Sequence, residues 1–449
     1  MSVSVATGAA MIKTYSVETF GCQMNVHDSE KIAGLLEKAG YRQAEKDHPE
    51  PDLLVVNTCS VRERAEEKLY ARLDHYRKKP RSERPLIAVT GCVAQQEGAK
   101  ILDRTPAVDV VLGTQALSRL PEALKSIENG IFPAIDIDTA REDQIPTGTP
   151  KRLSAQKAFI TIIEGCNDFC SFCVVPYTRG HERMRNAREI LKEANLCADR
   201  GSKEITLLGQ IVNHYQAPDL PECDFAGLLQ LLNRVDGLER IRFTSPHPRH
   251  VTERLIDSIK ALPKVCKHLH LPVQSGSTRI LGLMRRRHTR EHYLNLINKI
   301  RASIPDITIS TDIIVGFPGE NEKDFQETLK LVKEVKYNNI FSFKYSERPN
   351  TLAAHRIPDS TPEDIKSQRL TSLQSLQKTI QLEINRDMIG QTFEVLLEGR
   401  SRRRPQEQTG RTQGNTIVNF SGPIEDPGKL VKVAIEKAST NSVWGRSVT

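Results

Sequence analysis

Cys166, Cys170 and Cys173 stand in the run Glu-Gly-Cys-Asn-Asp-Phe-Cys-Ser-Phe-Cys, a C-x3-C-x2-C spacing that gathers three soft sulfur ligands on one short segment. Thiolates suit iron-sulfur clusters, and three of them can hold three irons of a cubane while the fourth iron lacks a protein ligand and is open to react. A zinc knot is the structural alternative, but it needs a fourth ligand and usually draws on paired C-x2-C spacings. Cys22, Cys59 and Cys92 are dispersed, and their spacing alone would fit three unrelated buried thiols. What they share is position: residues 15–21, 53–56 and 86–89 are strand-like runs, and each ends at or near one of the three cysteines.

Helix-like stretches separate these runs, for example residues 29–39, with Asp28 as an expected N-cap and Gly40 just past the end. Alternating strands and helices imply a parallel sheet, whose carboxyl edge would collect Cys22, Cys59 and Cys92 where such sheets bind ligands. This first domain is expected over residues 12–130, and residues 141–151, with two prolines, a glycine and several charges, read as a linker. Six further strands are expected at 158–163, 204–208, 240–244, 268–273, 307–315 and 340–345. Polar or glycine residues follow nearly every one of them. Six β/α units make an incomplete (β/α)6 barrel over residues 152–385, with its chemistry at the carboxyl ends of the strands. Leu370, Leu373, Leu376, Ile380 and Ile384 recur at helical spacing, so 363–388 reads as a helix leading out of the barrel and stopped by Gly390. Short strands at 391–398, 416–420, 430–435 and 441–447 suggest a small β-barrel over 387–449. The fold class expected is α/β with this appended β-barrel.

The 64 basic and 56 acidic residues give a net charge of +8, which leans towards a polyanionic partner without demanding one. No apolar run approaches the roughly 18 residues of a membrane span, and Met1 to Ala10 lacks the basic start of a signal peptide. A cytoplasmic protein without a membrane partner is the expectation, and in that compartment nine cysteines read as ligands, catalysts or bystanders rather than disulfides. Arg285-Arg286-Arg287-His288 and Arg400 with Arg402-Arg403-Arg404 are the clearest basic clusters. Trp444 is expected in a core.

The Cys166 triplet resembles the signature of the radical S-adenosylmethionine superfamily. That resemblance implies a 4Fe-4S cluster on Cys166, Cys170 and Cys173, with S-adenosylmethionine on its free iron. Phe172 matches the aromatic position beside the cofactor adenine, while Gly209, Gln210, Gln274, Ser275 and Gly316 lie where the superfamily contacts the rest of the cofactor. Read without the resemblance, those glycines are ordinary turn residues. The runs Thr-Phe-Gly-Cys-Gln-Met-Asn-Val-His-Asp-Ser-Glu, Asn-Thr-Cys-Ser-Val-Arg-Glu and Thr-Gly-Cys-Val-Ala-Gln resemble the amino-terminal domain of methylthiotransferases. There Cys22, Cys59 and Cys92 would bind a second, auxiliary 4Fe-4S cluster. The carboxyl-terminal segment resembles the TRAM domain, which binds RNA. Cys197, Cys223 and Cys266 match no ligand of the family and are expected to be bystanders.

The segments 57–63 and 284–290 most resemble the branch that acts on tRNA. The activity implied is radical transfer of a methylthio group to carbon 2 of N6-isopentenyl adenosine beside the anticodon, consuming two S-adenosylmethionine. The partners implied are tRNA, an electron donor such as flavodoxin or ferredoxin, and a sulfur donor or iron-sulfur carrier, with the enzyme a monomer. Alternatives within the family are a ribosomal-protein aspartate or threonylcarbamoyl adenosine as acceptor. Outside it, the alternative is a non-catalytic iron-sulfur or zinc protein that binds RNA.

Overall fold

The computed structural model of the chain describes residues 13–45, 50–61, 63–139 and 150–448. Most of the expected linker, and the opening Met1 to Ala10, lie outside them. The chain divides into two compact units: residues up to Leu153 together with Tyr177–Gly180, and Ser154–Pro176 together with the chain from His181 onward.

The first unit is built on a six-stranded, all-parallel sheet of β1 (Thr14–Phe20), β2 (Arg42–Gln43), β3 (Leu53–Thr58), β4 (Leu86–Gly91), β5 (Val110–Leu112) and β6 (Ala134–Asp136), in the order β2-β1-β3-β4-β5-β6. Both faces of the central strands are covered, which is why β3 and β4 read as continuous apolar runs rather than alternating ones. Leu53, Val55 and Ala88 pack with Ile32, Leu36 and Leu124 on one face. Leu54, Val56, Ile87 and Val89 pack with Leu69, Leu73 and Tyr76 on the other. The helix after β1 differs from the expectation. It is α1 (Gln23–Lys38), and it starts at Cys22 instead of Asp28. Cys22 takes the extended N-cap conformation, and the Asn25 side chain reaches back to accept from its N–H at 3.3 Å. Asp28 is therefore inside the helix.

In the second unit β7 (Lys157–Thr161) is followed by a short ribbon of β8 (Ile163–Glu164) and β9 (Arg183–Met184), then β10 (Glu204–Leu208), β11 (Arg240–Phe243), β12 (His268–His270), β13 (Thr308–Val315) and β14 (Asn339–Lys344). Two parallel triplets, β11-β10-β7 and β12-β13-β14, are linked by a parallel bridge between Ile241 and Val265. They enclose the largest apolar core, in which Ile160, Ile205, Leu207, Ile241, Leu269 and Ile309 are fully or almost fully buried. The helix expected to leave the barrel spans Glu363–Arg386.

A closed barrel ends the chain, from β15 (Thr392–Arg400), β16 (Gln408–Thr412), β17 (Ile417–Ser421), β18 (Leu430–Ala438) and β19 (Val443–Ser447), in the order β15-β16-β17-β19-β18. Strand β16 was not among the expected ones. Its sequence Gln-Thr-Gly-Arg-Thr has no apolar run, and at Gly410 a side chain would collide with the Leu396 carbonyl of the adjacent strand. The small barrel is fastened at the amino end of β11, away from the rim where the strands end. The buried Arg240 donates to the carbonyls of Arg411 (2.6 Å) and Glu394 (3.1 Å), and Arg242 donates to those of Thr412 and Gln413, both 2.8 Å. Trp444 departs from its expected place. It is half-buried outside the core, with Nε1 donating to Glu407 at 3.0 Å and Lys437 over its ring. Arg402, Arg403 and Arg404 are exposed in the β15–β16 connection. Among the described residues, no helix is long and apolar enough to cross a membrane.

Candidate functional site

Among the described residues no cysteine is in a disulfide, and Cys197, Cys223 and Cys266 are buried. The other six form two sets, one in each unit.

In the first unit Phe20, Thr58 and Gly91 are in register across the adjacent strands β1, β3 and β4. Strands stand about 4.8 Å apart, so the residues just beyond these three ends are neighbours: Cys22 caps α1, Cys59 follows β3, and Cys92 opens α2 (Cys92–Glu97). The three thiols are close enough to bias one another's ionisation. The Cys59 neighbour, and after it the Arg179 guanidinium, hold the Cys22 and Cys92 thiols below the ordinary range, while Cys22 and Cys92 push Cys59 up. Arg179 is held by the buried Asp28 at 2.7 Å, and Gln115 donates to the Arg179 carbonyl at 2.9 Å. Asn57 braces the site by donating to the Asn25 carbonyl (2.9 Å) and Ser29 (3.0 Å). Gly91, at φ +92°, is required because a side chain there would collide with Asn57.

In the second unit Cys166, Cys170 and Cys173 lie on the loop after β8, which turns at Gly165 with φ +78°. The loop is tied down at its middle: Ser171 donates through its amide to Met284 (3.0 Å) and through its hydroxyl to Leu283 (2.8 Å), and its carbonyl accepts from Ala353 (2.7 Å). Burial pushes both Cys166 and Cys173 up to about 12. Arg286 reaches Cys170 Sγ at 3.6 Å while donating to the Pro272 carbonyl at 2.9 Å.

The remaining expected residues fall on the same rim, with different degrees of availability. Phe172 is half-buried against Ile280, Met284, Phe317 and Tyr345. Gly209 and Gln210 follow β10, and the Gln210 Oε1 is buried without a hydrogen-bond partner among the described residues. Gln274, at φ +75°, is bridged to Ile313, and Ser275 is fully buried beside the Ser277 amide. Gly316 is engaged within the protein: its N–H donates to Glu320 at 2.6 Å, and the Lys366 stem covers its α-carbon. Sequence reasoning missed the two arginines, Arg179 and Arg286, and the imidazoles of His247 and His288. Their positions depend on contacts across the fold, although His288 and Arg286 do sit in the basic run already singled out.

Among the described residues, no group of His, Cys, Asp and Glu forms a site for a single metal ion. The sets are judged as cluster ligands on their donors. Each presents three thiols, and beside the first set the Thr58, Ser60 and Thr90 hydroxyls are buried without partners among the described residues, as donors to a sulfur-rich group would be. Beside the second, Arg286 supplies a cation at one sulfur. Both sets fit a 4Fe-4S cluster.

Three family profiles match: the uncharacterized protein family UPF0004 over residues 14–113, the radical SAM superfamily over 160–332 and the TRAM domain over 386–448. Among solved structures, a radical S-adenosylmethionine methyltransferase from Kitasatospora setae aligns with a TM-score of 0.56 at 14% identity, covering 77% of this chain and 74% of its own. The cobalamin-dependent radical enzyme OxsB aligns at 0.52 with 12% identity, covering 82% and 56%. These likenesses show the fold. The curated relatives named tRNA-2-methylthio-N(6)-dimethylallyladenosine synthase include those of Geotalea uraniireducens, 46% identical over 96% of this chain and 98% of that one, and Bordetella avium, 43% identical over 98% and 94%. With both thiol sets in place and identity at this level along nearly the whole length, the chain belongs to the tRNA-2-methylthio-N(6)-dimethylallyladenosine synthase family of radical S-adenosylmethionine enzymes.

Proposed function

We propose that this protein transfers a methylthio group to carbon 2 of N6-isopentenyl adenosine beside the anticodon of tRNA, consuming two S-adenosylmethionine per product. The observation that carries the reading is the full-length identity to curated synthases of that name, at 46% over 96% of the chain. Cys166, Cys170 and Cys173 would hold the cluster that binds S-adenosylmethionine, and Cys22, Cys59 and Cys92 the auxiliary one. When bound, the first supplies the electron that cleaves S-adenosylmethionine to a carbon radical, and the second handles the sulfur to be inserted.

The chain's own groups set the conditions for this chemistry. Arg286 lies against Cys170 and Arg179 beside the first thiol set, so each site has a buried guanidinium to offset thiolate charge. The apolar wall of Phe172, Phe317 and Tyr345 would keep water from the cofactor face. The exposed Arg402, Arg403 and Arg404 of the terminal barrel suit phosphates and unstacked bases of an RNA loop. The base would leave its stack at a cost of a few kcal/mol, lowest in a strained single-stranded loop. A flavodoxin or ferredoxin as electron donor, a sulfur donor or iron-sulfur carrier, a monomeric state and a cytoplasmic location complete the reading, along with the cofactor contacts of Gln210, Gln274 and Ser275.

The test offers the reconstituted enzyme three acceptors with S-adenosylmethionine and reductant: isopentenylated tRNA, threonylcarbamoylated tRNA and the ribosomal protein. Methylthio product on the first alone is expected. Product on either of the others instead would reassign the substrate, and no deoxyadenosine from any of them would contradict the catalytic reading.

A further inference from the structure

At the rim of the barrel two imidazoles are fixed in opposite hydrogen-bonding senses. His247 is 3% exposed, and its main chain is clamped on both sides by Asn213, which donates to its carbonyl at 2.9 Å and accepts from its N–H at 2.8 Å. Its ring Nδ1 accepts from the main-chain N–H of Arg249 at 3.1 Å. In a neutral ring the proton must then sit on Nε2, which makes that atom a donor. His288 is 8% exposed, and its Nδ1 lies 3.1 Å from the carbonyl of Arg286, which can only accept. Its proton is therefore on Nδ1, and Nε2 is a bare acceptor.

Both Nε2 atoms are buried, and among the described residues neither has a hydrogen-bond partner. Asp168 Oδ2 faces His247 Nε2 at 3.7 Å, beyond hydrogen-bond length, and that carboxylate also faces Arg249 at 3.6 Å and Arg287 at 3.8 Å. The two rings pack edge to face with centroids 5.6 Å apart, and His288 is backed by Tyr293 at 6.2 Å, so neither can swing away freely. Burial, and after it Arg286, keeps both imidazoles well below their ordinary pKa and hence neutral. A buried donor and a buried acceptor left unmet on packed rings are each unfavourable, and a ligand with the complementary pair would offset that.

We infer that His247 and His288 together read the edge of an adenine that presents N7 as acceptor and N6–H as donor. Guanine offers two acceptors along the same edge and would leave His288 unmet. An adenine bearing one substituent on N6 keeps a single N6–H and still qualifies. Carbon 2 lies on the opposite side of the base from N7, so a grip on this edge leaves carbon 2 free to react. The inference rests on the proposed function for the tRNA adenosine, but the cofactor carries an adenine with the same edge, and the test separates the two.

The measurement is the equilibrium affinity of the cluster-loaded full chain for an anticodon stem-loop RNA carrying N6-isopentenyl adenosine, beside the same RNA with N7 replaced by C–H. Its affinity for S-adenosylmethionine and the 7-deaza cofactor is measured in parallel. The 7-deaza RNA is expected to bind the native enzyme about tenfold more weakly, and His247→Phe should erase that difference. Adding a second alkyl group at N6 should give a penalty that His288→Phe erases. A penalty confined to the 7-deaza cofactor assigns the edge to the cofactor and keeps the pair as an adenine reader. Equal binding of both analogue pairs by the native enzyme overturns the inference without any variant, and it would mean that the two atoms are met within the protein, by Asp168 for one. If the native enzyme binds no isopentenylated RNA, the functional reading fails and the cofactor arm alone decides on the pair.

Discussion

The two thiol sets solve one chemical problem in contrasting ways. Cys166, Cys170 and Cys173 are close because the chain is short between them, and they sit on a loop. Cys22, Cys59 and Cys92 are far apart in sequence and are close because β1, β3 and β4 pair in register. In the dispersed set two thiols are held low, by their Cys59 neighbour and then by Arg179. In the local set, burial pushes Cys166 and Cys173 up. A sheet edge thus brings its three cysteines together through strand register, whereas the loop brings its three together through short spacing and the Ser171 contacts that tie it down.

The sharpest way to break this comparison is to remove one ligand from each set. Cys166→Ala is expected to abolish deoxyadenosine formation from S-adenosylmethionine. Cys59→Ala is expected to abolish methylthio product while uncoupled deoxyadenosine persists, with both products read by mass spectrometry. Identical phenotypes would erase the division of labour between the sets.

Next come the two arginines. Arg179→Met strands the buried Asp28 carboxylate, at a cost of about 3–5 kcal/mol to the first unit. Arg286→Met gives up a hydrogen bond to the Pro272 carbonyl and a contact with sulfur, at about 1–2 kcal/mol. Hydrogen exchange should show β1, β3 and β4 losing protection in the first variant, and a smaller effect limited to the barrel rim in the second. Adding Asp28→Asn to Arg179→Met should restore part of the loss, since it removes the stranded charge.

A pH-dependent effect of similar size to that of Arg286→Met concerns Glu320, which supports the rim through the Gly316 amide and Arg369 at 2.8 Å. Burial raises its carboxyl to about 6. The folded state then binds a proton more tightly than the unfolded chain does, so this group's stabilisation is present below the unfolded pKa and is lost as pH rises through 6. Between pH 4.5 and 7 the native chain should lose about 2 kcal/mol relative to Glu320→Gln. Urea denaturation at the two pH values checks the difference in slope, and equal slopes would remove Glu320 from the account.

The local cysteine set stands out because its C-x3-C-x2-C spacing is itself a sequence property, and the buried strands were legible from runs such as Leu53-Leu54-Val55-Val56. Strand ends pointed to Cys22, Cys59 and Cys92, but the start of α1 was misplaced because a cysteine, aided by Asn25, takes the cap that a Ser, Thr, Asn or Asp usually fills. Strand β16 escaped notice because barrel closure, rather than apolar patterning, makes it a strand. The Arg179–Asp28 pair joins residues 151 positions apart, and the tautomers of His247 and His288 follow from single main-chain contacts. No window along the sequence contains either kind of information.

The most direct test of the central claim, that a sheet-edge set and a loop set serve two distinct steps of one transfer, is nucleoside mass spectrometry of isopentenylated tRNA. The tRNA is incubated with S-adenosylmethionine, reductant and either the fully loaded native enzyme or Cys59→Ala. The account predicts 2-methylthio-N6-isopentenyl adenosine from the native enzyme and none from the variant, with deoxyadenosine from both. Methylthio product from Cys59→Ala, or none from a fully loaded native enzyme, would contradict it.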